Sequence, residues 1–414
     1  MRGSSLNKIL PTLLTLSSFA LASFNATIID SKTFLPIKNT QVNDSILSIK
    51  TDENGSFSID TKEEKVHIKQ YGYRPLTIET NSTQNIIPLE AIKVKALYLT
   101  FWGASNNSKT LKRIVNLIEK TEANAVIVDV KNEYGSTSFF TSFKQANSYG
   151  AHKHRTNRNI KKFINLMKEK HIYTIARIVT FKDELQASNN PEYAIKRDDN
   201  GSIWRNHDNM AWVDPYDSRS QEYAIRMAEE AAKVGYDEIN FDYIRFPAKK
   251  GLRYSKENSI ENRVAALSEF LKKAQKRLQE YGVFISVDTY GNILWSRDGD
   301  DNSIGQIIES LALHADYIAP MLYPSGFARG SFHFKYPADN PHAVIYRSIK
   351  NIQDRIDIRR VRPWLQYFKD YTAKRRPYKR FEVQEQIRAT EELETNGWML
   401  WSPSSKYHFE YLTK

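Results

Sequence analysis

From Lys95 onward the chain alternates two textures. Short apolar runs occur at Ala96–Trp102, Ala125–Val130, Tyr173–Thr180, Glu238–Phe246, Val283–Tyr290, Tyr317–Tyr323, Val361–Tyr367 and Trp398–Ser402. Between them, apolar residues recur at helical spacing over Thr110–Glu119, Ile160–Lys170, Ser220–Lys233, Val264–Tyr281, Ile304–His314, Ala343–Arg355 and Val383–Thr395. Compact apolar runs suit strands, and the longer 3.6-period stretches suit helices that bury one face. Eight strands with seven intervening helices predict a (β/α)₈ TIM barrel over residues 94–414. Helix-to-strand links are tight, as at Val234-Gly235-Tyr236 and Asn396-Gly397, while strand-to-helix links such as 131–159, 181–219 and 247–263 are long. A barrel enzyme builds its site from the long links at the strands' C-terminal ends. A doubly wound sheet would want a glycine-rich loop after the first strand, where Trp102-Gly103-Ala104-Ser105 has no G-x-G-x-x-G.

Residues 23–93 read differently. Ala26–Ile29, Ser45–Thr51, Ser56–Asp60, Lys65–Gln70 and Leu76–Glu79 are short strand patterns, and Asp52-Glu53-Asn54-Gly55 is a hairpin signal. They predict a small antiparallel β-sandwich ahead of the barrel.

Arg2 and Lys8 flank an uncharged apolar run, Ile9–Ala22, that closes on Ala20-Leu21-Ala22. This pattern predicts a secretory signal peptide over residues 1–22. No later stretch reaches the ~20 apolar residues of a membrane span, so an exported, periplasmic or secreted protein without stable membrane insertion is expected. The 414 residues contain no cysteine, which excludes thiolate metal sites, disulfides and a cysteine nucleophile. Sixty Lys and Arg against 48 Asp and Glu give a net charge of +12. That surplus suits an acidic polysaccharide better than nucleic acid, because Lys153-His154-Arg155 and Lys374-Arg375-Arg376 lie in no nucleic-acid-binding motif. With no G-x-S-x-G, H-E-x-x-H or P-loop, and with His152, His154 and His207 at no standard spacing, neither metal nor cofactor is expected.

The candidate chemistry sits at strand ends. Asp242 shares a face with Asn240 on the fourth barrel strand, and Arg245 follows at the rim. Asp129, Lys131 and Glu133 share one face of the second strand by period two. Asp288 and Tyr290 end the fifth strand, and Arg177, Tyr323, Gln366 and Trp401 come from the third, sixth, seventh and eighth. Trp102, Trp204, Trp212, Trp295 and Trp401 all fall at strand ends or in the long links of the same face. Paired carboxylates cleave glycosidic bonds, tryptophans stack on pyranose rings, and Asn, Gln and Tyr orient hydroxyls. Arg177 is expected to keep Asp242 ionised. A non-catalytic polysaccharide-binding or envelope interaction protein is the alternative.

Several segments carry resemblances. "KALYLTFWG", "NAVIVDVKNEYG", "YDEINFDYIRFP", "ISVDTYG", "ADYIAPMLYPSGF" and "GWMLWSPSSKY" resemble the putative glycosyl hydrolase family of exported bacterial proteins. That resemblance implies a TIM barrel of unassigned substrate and favours Asp242 as the catalytic carboxylate. In α-galactosidase-like barrels an acid ends the sixth strand, but here Leu322-Tyr323-Pro324-Ser325 stands there and Asp316 lies at the opposite end. A chitinase-like pattern would need Glu where Ile244 stands. Asp288 is therefore chosen as the general acid, with Asp129 and Glu133 behind it. "IIDSKTFLPIKNTQV", "TDENGSFSI" and "YGYRPLTI" resemble the carboxypeptidase regulatory-like domain, which implies a spacer or binding module.

Overall fold

The computed structural model describes residues 22–372 and 374–413. The expected signal peptide lies outside them except for Ala22, which opens the first strand. Seven strands come first: β1 (Ala22–Asp30), β2 (Gln41–Asn43), β3 (Ser48–Lys50), β4 (Ser56–Thr61), β5 (Lys65–Lys69), β6 (Leu76–Glu79) and β7 (Ile86–Leu89). They form two sheets, in the orders β4-β1-β7 and β3-β2-β5-β6. Phe24, Ile28, Ile59 and Leu89 from one sheet share a core with Val42, Val66 and Ile68 from the other. Alternation along each strand produces this, as in β4, where Phe57, Ile59 and Thr61 face inward.

Two details depart from the sequence reading. β1 pairs antiparallel with β4 but parallel with β7, so the sandwich is mixed. The chain crosses from β6 in the other sheet before β7, and so arrives running with β1. The Asn54-Gly55 turn is tight, with Asp52 N donating to Ser56 O at 2.9 Å, but β3 and β4 enter different sheets instead of pairing as a hairpin. Gly55, at φ +72°, is required there because a Cβ would lie 2.4 Å from Ile28 O.

The barrel strands are β8 (Val94–Leu99), β9 (Ala125–Lys131), β10 (Tyr173–Val179), then, past the short β11 (Lys196–Arg197), β12 (Glu238–Asp242). After β13 (Leu252–Arg253) come β14 (Phe284–Tyr290), β15 (Tyr317–Met321), β16 (Trp364–Gln366) and β17 (Gly397–Trp401). All eight pair in parallel and close in the order β10-β12-β14-β15-β16-β17-β8-β9, as the texture of the sequence predicts. Among the described residues a helix links each successive pair. Ala96, Ile127, Ile175, Phe284, Ala319 and Met399 pack inside, while Val128, Ile178, Phe241 and Leu400 pack outward against the helices. β16 is shorter than its apolar run because Pro363 has no N–H for the ladder. β12 stops at Asp242 because Tyr243 turns to φ +50°.

The sandwich seats on the end of the barrel where the strands begin. Lys69 Nζ pairs with Asp316 Oδ2 and donates to Val283 O, both at 3.0 Å. Gly72 N donates to Tyr317 Oη at 3.1 Å, and Arg74 Nη2 donates to His171 O at 2.8 Å. The strands' C-terminal ends stay uncovered by it. The Lys69–Asp316 pair is buried, so Asp316→Asn strands a cation and should cost about 3–5 kcal/mol of stability. Urea unfolding checks this, and the apolar pair Lys69→Met with Asp316→Leu should recover most of the loss.

Candidate active site

Four strands deliver side chains to one point at the open end. Arg177 of β10 sits opposite Asp129 in the β9 register and opposite Asn240 in the β12 register, two residues before Asp242. All four are inward-facing positions by alternation. Arg177 Nε donates to Asp242 Oδ2 at 3.0 Å, Nη2 donates to the same oxygen, and Nη1 donates to Asp129 Oδ1. The same Nε lies 4.0 Å from Asp288 Oδ2 on β14. Tyr98 Oη donates to the other oxygen of Asp129. Tyr243 N donates to Asp242 Oδ1 at 2.6 Å, a contact made by the left-handed turn that ends β12.

The two cavity carboxyls have different surroundings. Asp242 accepts two bonds from a guanidinium, whereas Asp288 Oδ1 accepts only neutral donors, Asn240 Nδ2 and Trp364 Nε1, each at 2.8 Å. Burial, and then the charge of Asp242, push Asp288 well above the usual carboxylate range, against the pull of Arg177, Asn240 and Trp364. Burial also pushes Asp129 up, against Arg177 and Tyr98. The charges of Asp242 and Asp129 outweigh desolvation at Arg177 and keep it a cation.

Above this cluster opens a cavity of about 340 Å³. Asp242, Asp288, Arg177, Arg245, Tyr290, Tyr323 and Trp401 line it, as the strand-end reading expects. Trp401 stacks on Tyr98 with ring centres 4.0 Å apart and lies 5.2 Å from the Arg177 guanidinium. Asn240 and Asp129 lie beneath the floor and act on it through Asp288 and Arg177.

Other residues go elsewhere. A β-bulge sets Lys131 opposite Ile178 directly after Asp129 opposite Arg177, so Asp129 and Lys131 do not share a face. Lys131 instead pairs at 2.8 Å with Asp183, both wholly buried. Glu133, half-buried in the loop beyond, does not line the cavity. Gln366 is buried and accepts from Ser325 N and Oγ, tying down the loop after β15. Trp102 stands on the rim, 67% exposed. Trp204 packs on the buried Trp212, and Trp295 lines a neighbouring cleft. Of the five tryptophans, Trp401 alone lines the cavity among the described residues.

Among the wall residues that escaped the sequence reading are three large aromatics. Trp364 shares the inward face of β16 with Gln366, so period two could have found it. Tyr243 lies on the far side of a turn that strand periodicity cannot foresee, and Tyr371 comes from an irregular loop.

Residues 96–407 match the family described as "putative glycosyl hydrolase domain". No curated protein sequence matches the chain. A hypothetical protein from Ruminiclostridium thermocellum has a solved structure 35% identical over 46% of this chain and 96% of its own, with a TM-score of 0.41. The PgaB (BpsB) glycoside hydrolase domain from Bordetella bronchiseptica shares the fold at 11% identity and a TM-score of 0.56, covering 76% of this chain and 95% of that one. The spore cortex-lytic enzyme SleL of Bacillus megaterium is similar at 14% identity and a TM-score of 0.47, covering 80% and 76%.

The state of Asp288 has a measurable consequence for stability. Its folded pKa lies above the unfolded value, so the native state holds the proton longer and stability falls as pH rises above about 4. Asp288→Asn should therefore raise the melting temperature at pH 7. The gain should vanish below about pH 4, where the wild-type carboxyl is protonated in both states. Thermal melts of both proteins across pH 3–8 check this.

Proposed function

The chain belongs to the family of putative glycosyl hydrolase domains, and from that premise we propose that Asp242 and Asp288 are the carboxyl pair that cleaves the glycosidic bonds of a polysaccharide. The carrying observation is the pair's asymmetry around one guanidinium. Two carboxyl groups in one cavity divide into acid and base when their surroundings push their proton affinities apart. Asp242 accepts two bonds from the Arg177 guanidinium, while Asp288 is buried among neutral donors.

In this reading Asp288 gives its proton to the glycosidic oxygen as the bond from the anomeric carbon to that oxygen breaks. Asp242 supplies the electron pair to the anomeric carbon, directly or through a water it deprotonates. Arg177 and Asp129 position Asp242. Trp401, Trp364 and Tyr323 offer flat or orienting surfaces to the sugar. The strand ends open into a cleft on the side away from the sandwich, which suits the sandwich as a spacer or binding module. Export belongs to the same proposal and rests on the charged-apolar-small pattern of residues 1–22.

The test is reducing-end release from a panel of bacterial exopolysaccharides and cell-wall glycans, acidic polymers included. Asp242→Asn should lower the rate on any cleaved polymer by at least about 10²-fold. Saturable binding without release by the wild type would replace the hydrolase reading with the lectin-like one. On a cleaved polymer, kcat/KM should fall at high pH as Asp288 loses its proton. Trp364→Phe removes a donor that favours the ionised form, so this basic limb should move to higher pH.

A further inference from the structure

Arg245 is a cavity-wall cation that no acid among the described residues pairs with. The three arginines buried in the barrel each bond a carboxylate: Arg177 to Asp242, Arg263 to Asp301 and Arg362 to Glu238. Among the described residues no carboxylate pairs with Arg245, and its one hydrogen bond runs from Nη1 to Phe246 O at 3.1 Å. Aromatic faces hold it instead. Its guanidinium lies 4.8 Å from the ring centres of Trp212 and Tyr290 and 5.4 Å from that of Tyr243. Stacking of this kind fixes a guanidinium while leaving its in-plane N–H donors for another partner.

The backbone presents it to the cavity. Ile244 and Phe246 on either side are wholly buried, and Phe246 N donates to Ile304 O at 2.9 Å. Gln306, itself buried, donates through Nε2 to Ile244 O and Asp288 O, and its Oε1 accepts from Tyr290 N. One amide therefore fixes the chain beside Arg245, the chain carrying its stacking partner Tyr290, and the chain of the acid Asp288. A partly desolvated cation without a counter-charge is costly, so the ligand that best completes this wall is an anion.

Resting on the glycan-site reading above, we propose that Arg245 reads the carboxylate of a uronic-acid residue, and hence that the polysaccharide is acidic at the sugar bound beside the catalytic pair. A planar carboxylate matches the guanidinium fork with two parallel bonds, which a neutral hydroxymethyl group cannot make.

Monosaccharides test this without cleavage. D-glucuronate and D-galacturonate are titrated into the full chain by calorimetry and saturation-transfer NMR, beside glucose, galactose and glucose 6-sulfate. At least one uronate should bind about tenfold or more tightly than its neutral counterpart, with an affinity that falls as salt rises. Arg245→Gln should remove that preference, weakening uronate binding about tenfold or more relative to neutral-sugar binding, and Arg245→Lys should restore only part of it. Equal binding of uronates and neutral sugars, a preference surviving in Arg245→Gln, or no uronate binding at all would overturn the inference. Stronger binding of the sulfate than of either uronate would overturn the carboxylate and assign a sulfated sugar. If Arg245→Gln does not fold, the wild-type preference and its salt dependence still decide. Cleavage of a neutral polymer sinks this inference and leaves the hydrolase standing, whereas uronate binding with no cleavage of any polymer does the reverse.

Discussion

The buried guanidinium of Arg177 organises the upper barrel. It bonds Asp129 and Asp242 and comes within 4.0 Å of Asp288, so one cation faces three carboxyl groups in a space nearly closed to water. Desolvation of each of these groups costs several kcal/mol, so the three carboxyls compete for one buried cation. Of the three, Asp288 is the one whose remaining partners, Asn240 and Trp364, are neutral, and burial with the charge of Asp242 pushes its carboxyl well above the usual range. Asp129 is satisfied from below by Tyr98, on which Trp401 stacks, so the electrostatic centre also sets the aromatic floor of the cavity.

Where the strands end, small departures from regular geometry sort side chains into wall and support. The bulge after Asp129 turns Lys131 away into a buried pair with Asp183. The positive φ at Tyr243 stops β12, caps Asp242 with a backbone N–H and starts the segment that carries Arg245. Both departures fall at the barrel rim, where bulges and left-handed residues re-aim side chains without disturbing the packed layers below.

The opposite end is closed by different means. Glu238 at the start of β12 accepts from Arg362 at 2.7 Å and from Tyr173, all inside the barrel, and the sandwich covers strand starts through Lys69 and Asp316. Charge buried at this end is paired within the protein, as structural ion pairs require. At the open end the Arg245 guanidinium is held by aromatic faces and, among the described residues, by no carboxylate.

The barrel was legible from the chain alone because strand and helix periods are local properties, and each alternation of texture had room for one βα unit. Asp242, Asp288, Arg177 and Trp401 were legible for a related reason: a charged or aromatic residue ending an apolar strand must lie at the rim. Lys131 and Gln366 follow the same rule and yet serve structure, since a one-residue bulge and a loop 41 positions away in the sequence decide their partners. The unlike surroundings of two similar aspartates, the aromatic setting of Arg245 and the end of the barrel that the sandwich covers belong to tertiary structure. They depend on distances between residues far apart in the chain, and desolvation and charge pairing act through space rather than along the sequence.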